Sequence, residues 1–459
     1  MTERESKRFK SSTKRLEGEI SVGILEKAQK MLEKYPLCDH CLGRQFALLG
    51  YGLDDQERGE AIKTLLTMRG HQLTLSGDKS GVSLLKTVAT NGAFDMAAGI
   101  LKETRKRPGK KRECRLCNGQ FGTLDGLVEK CVRKIKPYEF STFLVGIRLP
   151  TEIAEREDEF KAEFDVKHGE SMRNEFSRDI GKKISEFTNK PAEYRKPDVV
   201  AIVNPFAKRV TFQINPLYIR GRYRKLARGI PQSRWVCMEC RGKGCERCGW
   251  TGKMYPESVE EIIAAPTLDE TGGEDTSFHG AGREDVDARM LGRGRPFIIE
   301  VKKPKIRLID LRALTRSVNE LGEGKVKVLN LRFSDKDAVR KLKKTEGAEK
   351  VYRVLVEFGR NVSDEELDTL EMMLTTSVIR QQTPQRVLHR RADLIREKHI
   401  YEAETKRLRP NRAEIRIRCQ GGLYIKELVT GDEGRTDPCV AKIVNVTAKP
   451  IELDVLDVI

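Results

Sequence analysis

The sequence lacks the long apolar run that a membrane-spanning helix needs. No stretch approaches the roughly 18–20 apolar residues required to cross a bilayer, and the opening Met-Thr-Glu-Arg-Glu-Ser-Lys has none of the apolar core of a signal peptide. Apolar residues form only 38% of the 459 residues, which is low but enough for more than one buried core. These features predict a soluble, cytoplasmic protein of two or three domains with no membrane partner.

Several signatures of cofactor or catalytic-metal chemistry are also missing. No Gly-x-Gly-x-x-Gly follows a predicted strand, and the segment Ser76-Gly-Asp-Lys-Ser-Gly81 is too incomplete to be a P-loop. Neither His-Glu-x-x-His nor His-x-Glu with Pro-Cys-x-x-Cys is present to suggest a catalytic zinc. These absences argue against a methyltransferase, a thiouridine-forming enzyme and zinc-dependent catalysis.

Basic residues are in excess. The chain has 87 Lys and Arg against 69 Asp and Glu, a net charge of +18, and an isoelectric point near 9.3. Lys and Arg displace counterions condensed on a phosphate backbone, so bunched basic residues favour a polyanionic partner. Highly charged surfaces also occur in thermophilic proteins of any function, so charge alone does not identify that partner.

Eight of the 11 cysteines form four Cys-x-x-Cys pairs, which in a reducing compartment indicate metal binding rather than disulfides. Four residues separate the last two pairs, and Gly242 and Gly244 among them let the connection fold back around one zinc ion. The first two pairs are 72 residues apart, so their sharing of a second ion is a weaker prediction. Both sites are expected to be structural, because four thiolates leave zinc no open position; reactive thiols or a redox pair are the alternative. The pairs are Cys38/Cys41, Cys114/Cys117, Cys237/Cys240 and Cys245/Cys248.

The apolar pattern predicts an α+β protein. Strands without regular alternation with helices indicate a mixed, mainly antiparallel sheet. Residues 1–20, with mixed charge and few apolar side chains, are predicted to be a disordered arm. Residues 267–279, which contain Gly and acidic residues, are predicted to form a loop. The predicted helices are 24–35, 171–187, 335–344 and 364–373, and the predicted strands are 140–149, 199–203, 210–214, 297–301, 325–333, 351–358 and 413–419.

A run of six basic residues without an acid lies between Tyr218 and Trp235. Tyr223 within it offers a face for stacking on a base, so the run predicts an RNA-binding surface; a basic linker is the alternative. For a second basic run, residues 102–112, an RNA contact and a solvated loop are equally open. The six residues are Arg220, Arg222, Arg224, Lys225, Arg228 and Arg234, of which Arg222, Arg224 and Lys225 are the foremost candidates.

Residues 280–291 read Gly-Ala-Gly-Arg-Glu-Asp-Val-Asp-Ala-Arg-Met-Leu, and their Gly-Arg-x-Asp turn resembles the catalytic loop of pseudouridine synthases. The resemblance makes Asp285 the catalytic carboxylate, acting as nucleophile at C1′ or assisting glycal formation, with Asp287 as the main rival. Arg283 is expected to hold a phosphate and to help keep the flipped base out of its helix. The reaction itself needs no cofactor.

Two further segments fit this resemblance. Tyr352 begins an apolar strand, where the family places a tyrosine that stacks on the target base; a tyrosine capping the core is the alternative. Residues 421–428, Gly-Gly-Leu-Tyr-Ile-Lys-Glu-Leu, resemble a Gly-Thr-Tyr-Ile-Arg-Ser-Leu strand of TruB-type enzymes. That match implies Lys426 as counter-ion of the catalytic aspartate, Leu428 as an apolar wall of the uracil pocket and Tyr424 as a further substrate contact.

Together with Gln382-Thr-Pro-Gln-Arg-Val-Leu-His-Arg-Arg391, these segments stand in the order found in one family. From Cys38 to its end, the sequence resembles the archaeal-type tRNA pseudouridine synthases of the Pus-ten family. Arg386, Arg390 and Arg391 are expected to add RNA contacts.

The resemblance implies a zinc-binding RNA-binding domain over residues 21–234. This α/β domain would contain a THUMP module, which residues 197–225 resemble at its end. A four-cysteine zinc segment would follow at 235–254, and a pseudouridine synthase catalytic domain at 255–459. The implied reaction is isomerisation of uridines 54 and 55 in the TΨC arm of tRNA, with no protein partner. The alternatives are another THUMP-bearing tRNA-modifying enzyme and a non-catalytic zinc-ribbon RNA-binding protein.

Overall fold

A computed structural model describes residues 20–344 and 347–459. The disordered arm is predicted for residues 1–20, and residues 1–19 of it lie outside the described residues. The chain divides into two compact units, Met1–Gln213 and Ile214–Ile459. Within the described ranges, no helix combines the length and the apolar character needed to cross a membrane.

The first unit is mainly helical, with a small sheet. Its strands are ordered β1-β2-β3, and β1 runs parallel to β2 with Phe143 opposite Val199. Asp54 and Glu57 form a capping box that starts the long helix α3. Buried side chains of helices and strands, including Phe143 and Phe176, form one core. The helices are α1 Ile20–Lys34, α2 Asp39–Gly43, α3 Asp55–Leu75, α4 Lys79–Thr90, α5 Asp95–Glu103, α6 Leu124–Ile135, α7 Thr151–Glu163 and α8 Met172–Thr188, and the strands are β1 Phe143–Ile147, β2 Val199–Asn204 and β3 Arg209–Ile214.

The second unit is built on a ten-stranded sheet with helices. The strand order is β12-β9-β10-β11-β8-β13-β6-β4-β7, and β5 pairs with β6. The strands are β4 Leu217–Lys225, β5 Asp275–Gly280, β6 Arg289–Lys302, β7 Val326–Ser334, β8 Lys350–Phe358, β9 Val378–Gln382, β10 Ile395–Arg409, β11 Arg412–Cys419, β12 Thr436–Asp437 and β13 Ala448–Val458. The helices are α9 Val259–Thr271, α10 Leu311–Leu321, α11 Lys336–Lys344, α12 Asp364–Thr376, α13 Ile425–Thr430 and α14 Val440–Ile443.

The sheet is mixed and mainly antiparallel, which confirms the predicted α+β class. Only β13 and β6 run parallel among its neighbouring strands, all of which belong to the described residues. Arg289 at the start of β6 lies opposite Asp454, and Tyr352 in β8 lies opposite Val455. This register brings the loop before β6 to the same region of the sheet as the start of β8.

The loop predicted for residues 267–279 is wrong. Helix α9 continues through Pro266 to Thr271, and β5 begins at Asp275. The helix persists because its later residues are buried and its threonines back-bond: the Thr267 hydroxyl donates to the Ile263 carbonyl at 2.7 Å. The strand expected around residues 421–428 is instead a turn followed by the short helix α13.

The boundary expected after residue 234 differs from the division of the structure. Strand β4 pairs along its length with β6 and β7, so residues 217–225 belong to the sheet of the second unit. The first four cations of the basic run, Arg220, Arg222, Arg224 and Lys225, are therefore part of the sheet that carries the Gly-Arg-x-Asp loop.

Candidate active site

The loop between β5 and β6 carries the Gly-Arg-x-Asp turn. Gly282 has a φ of +77°, and an added Cβ would stand 3.2 Å from Nη1 of Arg295, so a side chain would be both strained and crowded. Two consecutive acids follow at Glu284 and Asp285, and they face different surroundings. Both line the same cavity, but the side chain of Glu284 is fully buried, whereas that of Asp285 is 29% exposed.

Glu284 anchors the loop from inside the fold. Its carboxylate accepts from the Tyr223 hydroxyl at 2.9 Å and from Nε of Arg295 at 2.7 Å. Gln232 donates both to the Tyr223 hydroxyl, at 2.7 Å, and to the Gly282 carbonyl, at 2.9 Å. Burial, followed by the charge of Glu284, raises the pKa of Tyr223 well above its usual value. Nη1 of Arg295 also donates to the Ala281 carbonyl at 2.7 Å, so the network fixes the loop backbone.

Lys225 supports the loop from the same side. Its ammonium group donates to the carbonyls of Ile230, Asp285 and Val286 at 2.8, 2.9 and 3.0 Å. Burial lowers the pKa of Lys225 to about 8. The prediction that Lys225 contacts RNA is therefore wrong, because the side chain is fully buried and committed to the protein backbone.

Other residues of the basic run also differ from the prediction, whereas Arg220 and Arg234 are exposed and stay predicted RNA contacts. Tyr223 is fully buried and offers no face for stacking on a base. Arg222 donates to the Gly294 carbonyl at 2.6 Å, and Nε of Arg224 is buried without a partner among the described residues. Arg228 binds the Asp287 and Leu453 carbonyls and the carboxylates of Glu452 and Asp454, so it too serves the fold.

Asp285 lies in a cavity of about 290 Å³ whose walls are strongly basic. The Gly-Arg-x-Asp loop, the start of β8 and the turn before α13 form most of the lining. Its basic residues are Arg283, Lys350, Arg386, Arg391, Arg396, Lys398 and Lys426. Such a cavity suits a ligand that carries phosphate.

Arg386 forms an ion pair with Asp285. Its guanidinium lies 3.1 Å from Asp285 Oδ2 and donates to Glu427 at 2.6 Å. Nζ of Lys426 is 3.5 Å from Asp285 but 2.7 Å from both carboxylate oxygens of Asp287. Lys426 therefore pairs more closely with Asp287 than with Asp285, although it lies within ion-pair distance of both. Sequence reasoning proposed Arg386 only as an RNA contact, and no local signal links it to Asp285, 101 positions away.

The two candidate carboxylates differ in exposure. The side chain of Asp285 is 29% exposed and that of Asp287 is 68% exposed. Partial burial of Asp287 opposes ionisation, but its hydrogen bond with Lys426 prevails and lowers its pKa. Asp285 lines both the main cavity and the adjoining one, whereas Asp287 lines only the second.

The aromatic candidates also line the cavity. Tyr352 is almost fully buried at the cavity, and burial raises its pKa, so the hydroxyl keeps its proton. The guanidinium of Arg386 lies 5.8 Å from the centre of the Tyr424 ring. Leu428 does not form the apolar wall, because its side chain is fully buried in the core. Leu423 and Val455 line the cavity instead.

The remaining arginine candidates differ in what the structure gives for them. Arg391 lines the main cavity, and Arg283 stacks on Trp235 with 4.9 Å from its guanidinium carbon to the ring centre. For Arg390 only the backbone is described. Sequence reasoning missed Gln232, Glu284 and Arg295 as supports of the loop, since buried polar residues leave no periodic signal.

The structure brings both predicted cysteine sets together. In each set the four sulfurs lie within 4.8 Å of one another, so each could hold one metal ion. Four clustered thiols are the donor set that structural zinc prefers. In the first unit, Arg44 is fully buried, donates to Cys41 Sγ at 3.5 Å and pairs with Glu175 at 2.6 Å. The sets are Cys38, Cys41, Cys114 and Cys117, and Cys237, Cys240, Cys245 and Cys248.

Comparison with known proteins identifies the family. Residues 218–459 match the family model described as Pus10, C-terminal, and residues 127–204 match the one described as Pus10 THUMP domain, archaeal. The chain is 44% identical over 440 residues to the tRNA pseudouridine synthase Pus10 of Methanocaldococcus jannaschii, covering 94% of this chain and 93% of that protein. The chain belongs to the Pus10 family.

Two further Pus10 relatives match over nearly their whole length. The tRNA pseudouridine synthase Pus10 of Methanothrix thermoacetophila is 42% identical, covering 96% of this chain and 95% of that protein. That of Methanopyrus kandleri is 39% identical, covering 95% of this chain and 98% of that protein. Membership confirms the predicted family, the THUMP module and the prediction that the chain is an enzyme, a pseudouridine synthase.

Proposed function

We propose that this Pus10 enzyme isomerises uridine to pseudouridine at positions 54 and 55 in the TΨC arm of tRNA, with Asp285 as its catalytic carboxylate. The observation that carries the proposal is the position of Asp285, which opens into a cavity with Arg386 at 3.1 Å and Tyr352 in the lining. The relatives named tRNA pseudouridine synthase support tRNA as the substrate.

The cavity is suited to a flipped nucleotide. Its cations would hold the phosphates, Tyr352 would pack on the uracil ring, and Leu423 and Val455 would exclude water from its edge. Tyr424 lies at the same cavity, with Arg386 across its ring. Arg283 and Arg391 would bind phosphates next to the target.

The chemistry rests on one ionised carboxylate. Asp285 either attacks C1′ while the bond to N1 breaks, or accepts a ribose proton in glycal formation. In both routes Arg386 orients the carboxylate through its ion pair, with Lys426 as a more distant cation. Tyr352 lines the cavity and keeps its proton, so it would pack on the uracil ring as a neutral phenol rather than accept the proton that C5 loses.

The decisive experiment measures conversion by purified protein on unmodified tRNA without added cofactor. Carbodiimide-dependent primer-extension stops should map to positions 54 and 55, and each stop should vanish when the corresponding uridine is replaced by cytidine. Asp285→Asn should abolish both stops while tRNA binding persists. Asp287→Asn is the matched control and should retain most activity; the reverse result would transfer the catalytic role to Asp287.

Each cysteine set would hold one structural zinc ion, which supplies cross-linking of the fold and no step of the reaction. Elemental analysis should give two zinc ions per chain. Cys41→Ser and Cys240→Ser should each lower that content, because each removes one thiolate from a different set. Unchanged zinc in either variant would remove that set from the proposal.

A further inference from the structure

The four-cysteine segment of the second unit is closed at its neck. Val236 and Lys253 form a β-bridge, and the Met254 amide donates to the Trp235 carbonyl at 2.9 Å. The Trp235 ring meets the Tyr255 ring edge-on, with 5.5 Å between their centres. Trp235 is thus fixed by the base of the segment rather than carried on a free loop.

Trp235 is also part of the surroundings of the catalytic aspartate. Together with Asp285 and Arg386 it lines a second cavity of about 280 Å³, which adjoins the main one. Arg283 lines both cavities and stacks its guanidinium on the Trp235 ring, 4.9 Å from the ring centre. The contact therefore joins the four-cysteine segment to the catalytic loop within one unit of the chain.

The stack has a physical consequence for Arg283. A free arginine side chain samples many rotamers, and ordering it on substrate binding costs conformational entropy. A guanidinium held over an indole face is already oriented, and the indole face contacts it without taking the place of a phosphate acceptor. Trp235 can thus set the direction of Arg283 without competing for its hydrogen bonds.

We infer that Trp235 is a positioning residue, which holds Arg283 beside Asp285 for the nucleotide that enters the cavity. The inference rests on the proposed function. It also gives the second cysteine set a role in catalysis, because the segment that these cysteines fold presents Trp235.

The test measures single-turnover pseudouridine formation on tRNA by the full chain. Trp235→Ala should slow formation roughly 2- to 30-fold, the range that a cation–π contact can supply. Trp235→Phe keeps an aromatic face and should recover most of the rate. Trp250→Ala is the matched control, since Trp250 lies in the same segment, is 73% exposed and is absent from both cavity linings.

A double-mutant cycle separates positioning from general damage. In an Arg283→Ala background, Trp235→Ala should change the rate less than twofold, because the group that Trp235 holds is gone. The inference would be overturned if Trp235→Ala lowered the rate equally in the Arg283→Ala background and in the otherwise wild-type chain. It would also be overturned if Trp235→Ala did not lower the rate of the otherwise wild-type chain. The zinc content and the unfolding midpoint of every variant should match those of the wild type. If both quantities fell in Trp235→Ala and in Trp235→Phe, Trp235 would have a structural role instead. If the wild-type chain itself formed no pseudouridine, that result would count against the proposed function and not against the contact between Trp235 and Arg283.

Discussion

The two sides of the Gly-Arg-x-Asp loop use the same kinds of residue for opposite purposes. On the inner side, Arg295 and Lys225 are buried and bind Glu284 and loop carbonyls. On the outer side, Arg386 and Lys426 are partly exposed and bind Asp285 and Asp287. The inner cations hold the backbone still, and the outer ones leave a carboxylate accessible in a basic cavity. Adjacent acids in a sequence can therefore have unrelated surroundings, one inside the fold and one open to a cavity.

The largest expected effect comes from the inner side. Glu284→Gln would leave Arg295 as a buried charge without its counter-ion, which typically costs about 3–5 kcal/mol. Urea unfolding followed by tryptophan fluorescence reports on this unit, because both tryptophans lie in it. Asp275→Asn is the control: it breaks an exposed pair with Lys302, which should cost no more than about 1 kcal/mol. Similar costs for the two variants would show that the buried pair does not stabilise the loop.

A smaller effect is expected on the outer side, and in turnover rather than stability. Arg386→Gln should lower the single-turnover rate roughly tenfold to hundredfold, because misorienting a reacting group costs about that much. Lys426→Gln should lower it less, since Lys426 is 3.5 Å from Asp285 and bound first to Asp287. Both should change tRNA affinity less than rate. A larger rate loss in Lys426→Gln would restore Lys426 as the main partner of the catalytic carboxylate.

How much of this could be predicted follows from how local each signal is. Asp285 is predictable as a candidate because the Gly-Arg-x-Asp turn is four consecutive residues. Its pairing with Arg386 is not, since the contact spans 101 positions and depends on the fold. The inward direction of Tyr223 and Lys225 did leave a signal: they are two apart in a strand and so share a face, as Leu217 and Ile219 do. The count of basic residues hid that alternation.

The same distinction separates the predicted fold from its details. Strands such as 351–358 and 413–419 are predicted well, because their alternating pattern is printed in the sequence and matches β8 and β11. The helix through Pro266 is not predicted well, because proline disfavours a helix interior and the burial of Thr267 and Thr271 outweighs that preference. The first cysteine set falls between these cases: its pairs are visible, but only the fold brings them within 4.8 Å.

Acid should moderately weaken the contacts that Asp454 makes with Arg289 and Arg353. Hydrogen bonds from Arg289 and Arg353 outweigh partial burial and lower the pKa of Asp454 to about 2. A depressed folded-state pKa adds stability above the unfolded value of about 3.9, and that stability is lost as the pH falls toward 2. Asp454→Asn should therefore cost about 1–2 kcal/mol at pH 6, with the difference from the wild type shrinking between pH 4 and pH 2. A constant difference across that range would show that ionisation of Asp454 is not what stabilises the fold.

The smallest expected effect compares an outward cation with an inward one. Arg391 lines the cavity, so Arg391→Gln should remove a phosphate contact and flatten the log–log dependence of tRNA affinity on salt by roughly 0.7–0.9 units. Arg222 donates to the Gly294 carbonyl at 2.6 Å, so Arg222→Gln should leave that slope unchanged. Both variants lose one positive charge, so they change the net charge of the protein equally. Affinity measured over a series of salt concentrations therefore separates a local contact from the effect of overall charge. If the slope flattened equally in both variants, tRNA would be responding to net charge rather than to the direction in which each cation points.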